Sequence, residues 1–291
     1  MKQARIILLV FSIIAIAVFA VFRIRDLVRS DDLPPVITAD TDTLVVSVSV
    51  TDRELLSGLR ASDNKDGDVT GSIFVVSRSR FISPGTLQVN YAAFDSSDNV
   101  GTYVRTVHFT DYEPPRFYMT APFRFPEGNS SYNYMRDITA RDTLDGDLTG
   151  QIKIARGGVE VLNEDVTVRM ITLQVTNSAG DSAVLEIPAR FESYTVYAAP
   201  APALSDYICY TKAGTEPDYR SLLSGIYTAG NTRSFEQYRY DPDRDIRIDA
   251  SGVDAGTPGM YEAYYTLYSL PSGDSEPEAL GTASLIVIVE E

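Results

Sequence analysis

The sequence predicts an all-β protein: tandem Greek-key β-sandwiches behind one N-terminal transmembrane helix. Three observations predict it. Residues 6–22 form a 17-residue apolar run in which only Ser12 is polar. An eleven-residue acidic phrase occurs twice, as Asp63–Ile73 and Asp142–Ile152, at an offset of 79. Short alternating runs rich in Val, Ile, Thr and Tyr fill the remainder, broken by Pro-Gly, Asp-Gly and Ser-Ala-Gly turns. Period-2 alternation of that kind reads as strands. About seven such runs per domain-sized segment read as a sandwich.

The chain begins with the anchor. Lys2 and Arg5 precede the apolar run; Arg23 and Arg25 follow it. At about 1.5 Å per residue the run spans about 26 Å as a helix, the short end of a membrane crossing. The competing reading is a cleaved signal peptide, with a weak small-residue site at Val18-Phe19-Ala20. The arginines directly after the run favour an uncleaved anchor. Flanking charge does not fix orientation; long domains translocate largely regardless of it, which places the body outside. Residues 1–30 thus comprise a cytoplasmic stub, the anchor and a juxtamembrane segment.

The first domain, residues 31–111, opens at Pro34-Pro35-Val36-Ile37. Strands are expected over 44–50, 73–76, 87–94 and 104–109. The pattern restarts at Glu113-Pro114-Pro115, and Pro115 lies 80 residues after Pro35. The second domain, residues 112–193, carries expected strands over 138–141, 166–175 and 183–191. The third, residues 194–291, is degenerate. Leu55-Leu56-Ser57-Gly58 returns as Leu222-Leu223-Ser224-Gly225, and Pro84-Gly85 precedes Tyr91 as Pro258-Gly259 precedes Tyr265. Where the acidic phrase is due, Arg233-Ser234-Phe235 stands instead.

Composition bounds the function. The chain carries a net charge of −15, and residues 1–30 carry +4 (five basic, one acidic), leaving −19 to the other 261 residues. So acidic a body lacks the basic patches that nucleic-acid binding needs. The one cysteine, Cys209, excludes an intrachain disulfide framework and is expected as a small buried hydrophobe. The one histidine, His108, falls in a strand on the face of Val104 and Thr106, with no nucleophile signature beside it. No enzymatic activity is expected.

The order Pro-Pro, Ala-x-Asp-x-x-Asp-Gly-Asp-Val-Thr, then Pro-Gly-x-x-x-Val-x-Tyr-x-Ala-x-Asp-x-x-x-Asn resembles the bacterial surface Ig-like domain, found also in pesticidal crystal proteins and close to HYR-type modules. The first domain carries it nearly throughout, in Asp63, Asp66, Gly67, Asp68, Thr70, Pro84, Gly85, Tyr91, Ala93, Asp95 and Asn99. The second keeps the acidic phrase but lacks the Pro-Gly and the tyrosine. The resemblance implies Ig-like sandwiches on a cell surface and no catalysis.

Two site hypotheses follow from the residues. Calcium takes six to eight oxygens, often from clustered loop carboxylates. Asp63, Asp66 and Asp68 with Asp95, Asp98 and Asn99 form one candidate calcium set. Asp142, Asp145 and Asp147 with Asn177 and Asp181 form another. The alternative is that these residues shape turns and cap backbone N–H groups. The second hypothesis places a protein or carbohydrate ligand on the tyrosine-rich third domain. Tyr261 and Tyr265 are expected in its core, Tyr264 and Tyr268 at its surface. The expected function is a membrane-anchored Ig-like stalk presenting a distal adhesion or interaction domain. The alternatives are a structural or assembly subunit of an envelope complex and a polysaccharide-binding module.

Overall fold

The computed structural model describes residues 2–29, 31–128, 132–270 and 276–291. Its first element is helix α1, Lys2–Arg29. The stretch Ile6–Ile24 has a mean hydropathy of 2.8 over 19 residues, and none of it is buried. The side chains of Lys2, Arg5 and Arg25, expected to flank the membrane, lie outside the described residues.

The chain divides into two compact units, Met1–Tyr112 and Glu113–Glu291. In the first, strands β1 (Val36–Ala39), β2 (Thr43–Val46), β3 (Leu59–Asp63), β4 (Gly67–Asp68), β5 (Phe74–Arg78), β6 (Thr86–Phe94) and β7 (Val100–Phe109) make one sandwich. One sheet has the order β1-β3-β4, the other β2-β7-β6-β5. The chain changes sheets between β1 and β2: β1 runs antiparallel to β3, and β2 runs parallel to β7. The inner face follows from alternation. Leu87, Val89, Tyr91 and Ala93 of β6 are buried, as are Val107 and Phe109 of β7. Burial of Tyr91 is tolerated because its hydroxyl has a partner, donating to the Leu55 carbonyl at 3.0 Å. Arg105 also points inward from β7. It donates to the carbonyls of Thr41 (2.9 Å) and Ser57 (2.7 Å) and to Thr41 Oγ1 (2.6 Å). That bonding makes burial of a cation tolerable.

The expected strands hold with shifted ends. The strand expected over 44–50 stops at Val46, because Asp111 accepts from Ser47 Oγ and Val48 N and bends the chain. The phrase after Asp68 does not run straight into a strand either. Thr70–Ser72 forms a 3₁₀ turn before β5.

The second unit repeats this order twice. Strands β8 (Arg116–Met119), β9 (Arg124–Pro126), β10 (Ile138–Asp142), β11 (Gly146–Asp147), β12 (Lys153–Asn163), β13 (Val166–Thr176) and β14 (Ser182–Glu192) pair as β11-β10-β8 and β12-β13-β14-β9. Strands β15 (Ala201–Leu204), β16 (Ile208–Lys212), β17 (Leu223–Thr228), β18 (Asn231–Arg233), β19 (Ile246–Asp249), β20 (Gly259–Tyr268) and β21 (Ala279–Glu290) pair as β15-β17-β18 and β16-β21-β20-β19. Tyr265 repeats the role of Tyr91, donating to the Tyr219 carbonyl at 2.7 Å. The second sandwich fills the matching place with the fully buried Leu173, which pairs with Ile154 as Tyr91 pairs with Val75.

These two sandwiches share one continuous apolar core, from Phe117 and Leu173 to Leu285 and Val287. Hydrogen bonds join them as well. Tyr207 N–H donates to the Met119 carbonyl (2.8 Å), Met119 N–H to Asp206 Oδ1 (3.0 Å) and Phe117 N–H to Tyr210 Oη (2.9 Å). Arg116 grips Glu290 with two bonds. Residues 112–193 and 194–291, set apart in the sequence, therefore meet as one packed body rather than as linked beads.

Candidate metal centre

The acidic phrase of the first sandwich closes the β3–β4 hairpin. Gly67 takes a positive φ of 75°, which Asp-Gly supplies without steric cost. Asp63 pairs with Gly67 across the hairpin and accepts from Lys65 N and Asp66 N through Oδ1, both at 2.8 Å. A second turn, between β6 and β7, comes to the same end of the sandwich. Asp95 Oδ1 accepts from Ser97 N and Asn99 N at 2.8 Å, and Asp95 Oδ2 accepts from Asn99 Nδ2 at 2.7 Å. Asp66 ties the two turns together, accepting from Ser96 N (2.6 Å) and Ser96 Oγ (2.9 Å).

A third carboxylate completes the corner from outside both sheets. Asp31, on the segment between α1 and β1, brings its carboxylate to those of Asp63 and Asp95; the three offer ligand atoms within 4.8 Å of one another. Each of the three residues is only 8% exposed. Asn99 holds Asp31 there, its Nδ2 donating to the Asp31 carbonyl at 2.7 Å. Leu33 N–H donates to Asp31 Oδ1 at 3.2 Å. Asp31 Oδ2 and Asp63 Oδ2 are buried and have no hydrogen-bond partner among the described residues. Burial pushes the Asp95 carboxyl up, but the Asn99 side chain and the N–H groups of Asn99 and Ser97 outweigh it and hold the group below the usual carboxylate range.

Of the sequence-derived set, Asp63 and Asp95 meet with Asp31. Asp66 and Asn99 brace the corner. Asp68 faces away: Thr70, by its side chain and then its backbone, holds it below the usual range. Asp98 is exposed and takes the left-handed φ of 64° that the turn requires. Reading the sequence alone misses Asp31, although a signal is present. An aspartate stands four residues before the second proline of each Pro-Pro pair, Asp31 and Asp111.

The second sandwich builds the same corner with different chemistry. Asp142 Oδ1 accepts from Asp145 N (2.7 Å), and Asp145 accepts from Ser178 N and Ser178 Oγ. In place of Asp95 stands the buried Asn177, whose Nδ2 donates to Asp142 Oδ2 at 2.8 Å. Asn177 Oδ1 accepts from Asp181 N at 2.9 Å. Asp181 Oδ1 accepts from Ser182 N, and Asp147 is held below the usual range by Thr149, as Asp68 is by Thr70. Asp111 is engaged by Ser47 and Val48. This corner closes on hydrogen bonds.

Elsewhere, His108 lies on the exposed outer face of β7, its Nδ1 3.0 Å from Thr86 Oγ1. Cys209 is half-buried, and burial, then nearby Asp206, push its thiol up. The tyrosines of residues 194–291 mostly point inward. Tyr207, Tyr227 and Tyr265 are buried; among the described residues only Tyr194 (75% exposed) and Tyr264 (42%) stand out, on different elements. Tyr261 packs against the core, and Tyr268 is half-covered under the Arg247 guanidinium, 4.3 Å from its ring centre.

No protein-family model matches the chain, and no curated protein matches it. Among solved structures it is similar to the second CBM51 domain with INT domains of Clostridium perfringens ZmpB, in complex with GlcNAc. That pair is 16% identical, with a TM-score of 0.22, covering 53% of this chain and 41% of the other. It is similar to the protocadherin GammaB4 extracellular domain at 12% identity, with a TM-score of 0.21, covering 89% of this chain and 50% of that one. It is similar to the lipoprotein BT2262 of Bacteroides thetaiotaomicron at 13% identity, with a TM-score of 0.19, covering 86% of this chain and 98% of that one. The chain thus spans half or less of the first two. Overlap at this level carries no functional argument; the sandwich architecture stands on strand order and register.

Proposed function

We propose that the chain is a non-catalytic, membrane-anchored cell-surface protein of the bacterial Ig-like type, whose sandwiches form a stalk and carry an interaction surface away from the bilayer. The observation that carries this is α1. Nineteen consecutive residues, Ile6–Ile24, are strongly apolar on average and unburied, directly before a strongly acidic β-sandwich body. A helix apolar all round and uncovered by protein wants lipid. The absence of catalysis is proposed from the sites described: the acidic corner holds no nucleophile, and the Thr86 hydroxyl beside His108 lies on an exposed strand face where, among the described residues, no third group orients the ring. The hollow of about 230 Å³ where the two sandwiches of the second unit meet has neither histidine nor cysteine in its lining.

The test is topology in intact cells, with an epitope tag at each terminus. External protease is expected to remove the C-terminal tag while the N-terminal tag stays protected and membrane-bound. A body found free in the medium, or a protected C-terminus, would overturn the reading.

One observation favours the second reading, a subunit of an envelope assembly. β12 is the outer strand of its sheet, all eleven of its residues are exposed, and they include Val159, Val161 and Leu162. An uncovered edge of that length is a template for strand addition by another chain. The polysaccharide reading needs a shared aromatic platform, and the separation of Tyr194 from Tyr264 gives it no support.

A further inference from the structure

We infer that Asp31, Asp63 and Asp95 bind a calcium ion, and that this ion fastens the segment following α1 to the first sandwich. Three carboxylates from three separate stretches of chain converge within 4.8 Å, all of them buried. Like charges so placed demand a counter-charge. Among the described residues, the hydrogen bonds shown reaching them come from neutral groups. The backbone amides of Leu33, Lys65, Asp66, Ser97 and Asn99 donate to the carboxylate oxygens, and the Asn99 side-chain amide adds one more. Two oxygens, Asp31 Oδ2 and Asp63 Oδ2, are left buried without a hydrogen-bond partner among the described residues. Pre-oriented ligands with unfilled acceptor capacity describe a cation site, not a set of turn caps.

The donor set selects the ion. It is oxygen only, which suits hard cations over zinc or copper. Calcium takes six to eight oxygens in a flexible geometry, whereas magnesium demands a near-ideal octahedron and keeps several of its waters, so a buried cluster of protein carboxylates suits calcium. The second sandwich is the built-in contrast. Asn177 supplies an N–H donor where Asp95 supplies a carboxylate, and the Asp142 oxygen facing it is satisfied.

Asp31 gives the site its consequence. It lies in neither sheet, and the Asn99 bond to its carbonyl ties it to the sandwich. A cation shared by Asp31 and the two turn carboxylates therefore orders the linker. That the linker leads to an embedded anchor rests on the reading of α1 above; ion binding and linker ordering do not.

The experiment uses the full chain in detergent micelles or nanodiscs at neutral pH, titrated with calcium chloride by calorimetry. Amide hydrogen exchange is followed in parallel. Expected are one site of millimolar or tighter affinity, no competition by equimolar magnesium, and exchange at the Asp31, Asp32 and Leu33 amides slowed at least tenfold by calcium. Asp31→Asn should weaken binding at least tenfold and abolish the slowing, while exchange in β6 and β7 without calcium stays unchanged. Because Asp31 is outside the sheets, that variant tests the site even if Asp63→Asn fails to fold. Asp142→Asn should leave calcium binding unaltered. Absence of binding at millimolar calcium overturns the inference and leaves a proton shared between the two orphan oxygens as the counter-charge. Binding that survives Asp31→Asn overturns the clamp. Neither failure touches the topology result, which is read from tags in cells.

Discussion

The two acidic corners differ at two points that lie outside the repeated phrase. Both sandwiches fold the same Asp-x-x-Asp-Gly-Asp turn, with Gly67 and Gly146 at the same φ of 75° and each second aspartate gripping a serine, Ser96 or Ser178. What separates them is the residue opposite the first aspartate, Asp95 in one and Asn177 in the other. The second difference is the aspartate before the Pro-Pro pair, which joins the corner as Asp31 and is engaged elsewhere as Asp111. A recurring motif here fixes a backbone shape, and its chemistry is decided by partners contributed from a distance. An amide donor balances one carboxylate; a carboxylate in its place makes a demand that only a cation or a proton meets.

The largest effect should come from turning the first corner into the second. Asp95→Asn removes a ligand and supplies a donor to Asp63, and calorimetry on the full chain should show calcium affinity falling at least a hundredfold. The reverse change, Asn177→Asp, places a second carboxylate against Asp142 with no third group to complete a site. It should destabilise the second unit by about 2 kcal/mol at neutral pH, read as faster exchange across β10 and β13, with no calcium response gained. Gly101→Ala acts one step away. A Cβ there would lie 1.9 Å from the Pro35 carbonyl oxygen, so the segment carrying Asp31 must move. Calcium affinity should drop about tenfold, the equivalent of about 1.4 kcal/mol. The smallest and most symmetrical effect tests what the corners share. Thr70 and Thr149 hold Asp68 and Asp147 below the usual carboxylate range. A depressed carboxyl contributes stability that is complete above its unfolded pKa, about 3.9, and is lost as pH falls through the lower folded value. Thr70→Val and Thr149→Val each delete the hydroxyl but keep the backbone N–H bond, so each should reduce that acid-side loss and lower stability at neutral pH by a small amount, read in denaturant melts.

The fold is legible in the sequence because its determinants are local. Alternation marks β6, β7, β13 and β14, and the spacing from Pro-Gly to Tyr91 and to Tyr265 picks out two hydroxyls with the same carbonyl-binding role. Asp63 and Asp95 are legible as partners because each closes a turn at the end of a strand. Asp31 is not, since it occupies a linker with no periodicity of its own and reaches the corner through Asn99. Nor does alternation show that the second and third sandwiches share a core, because a buried strand position reads alike whichever neighbour covers it. Arg105 illustrates the same limit: three of its donors are satisfied by Thr41 and Ser57, residues far from it in sequence.

The parallel pair in each sandwich has a mechanical consequence. β2, near the beginning of its sandwich, lies alongside β7, at its end, so tension drawn between the two ends runs along the pair and shears it. Bonds loaded in shear share the force and must fail together, which makes the grip depend on how many residues are in register. That number is four for β2 with β7, three for β9 with β14 and five for β16 with β21. Forced unfolding is governed by the rate of barrier crossing rather than by equilibrium stability. A chain held at its N-terminal end and pulled from the other would be expected to yield first at the three-residue grip of the second sandwich.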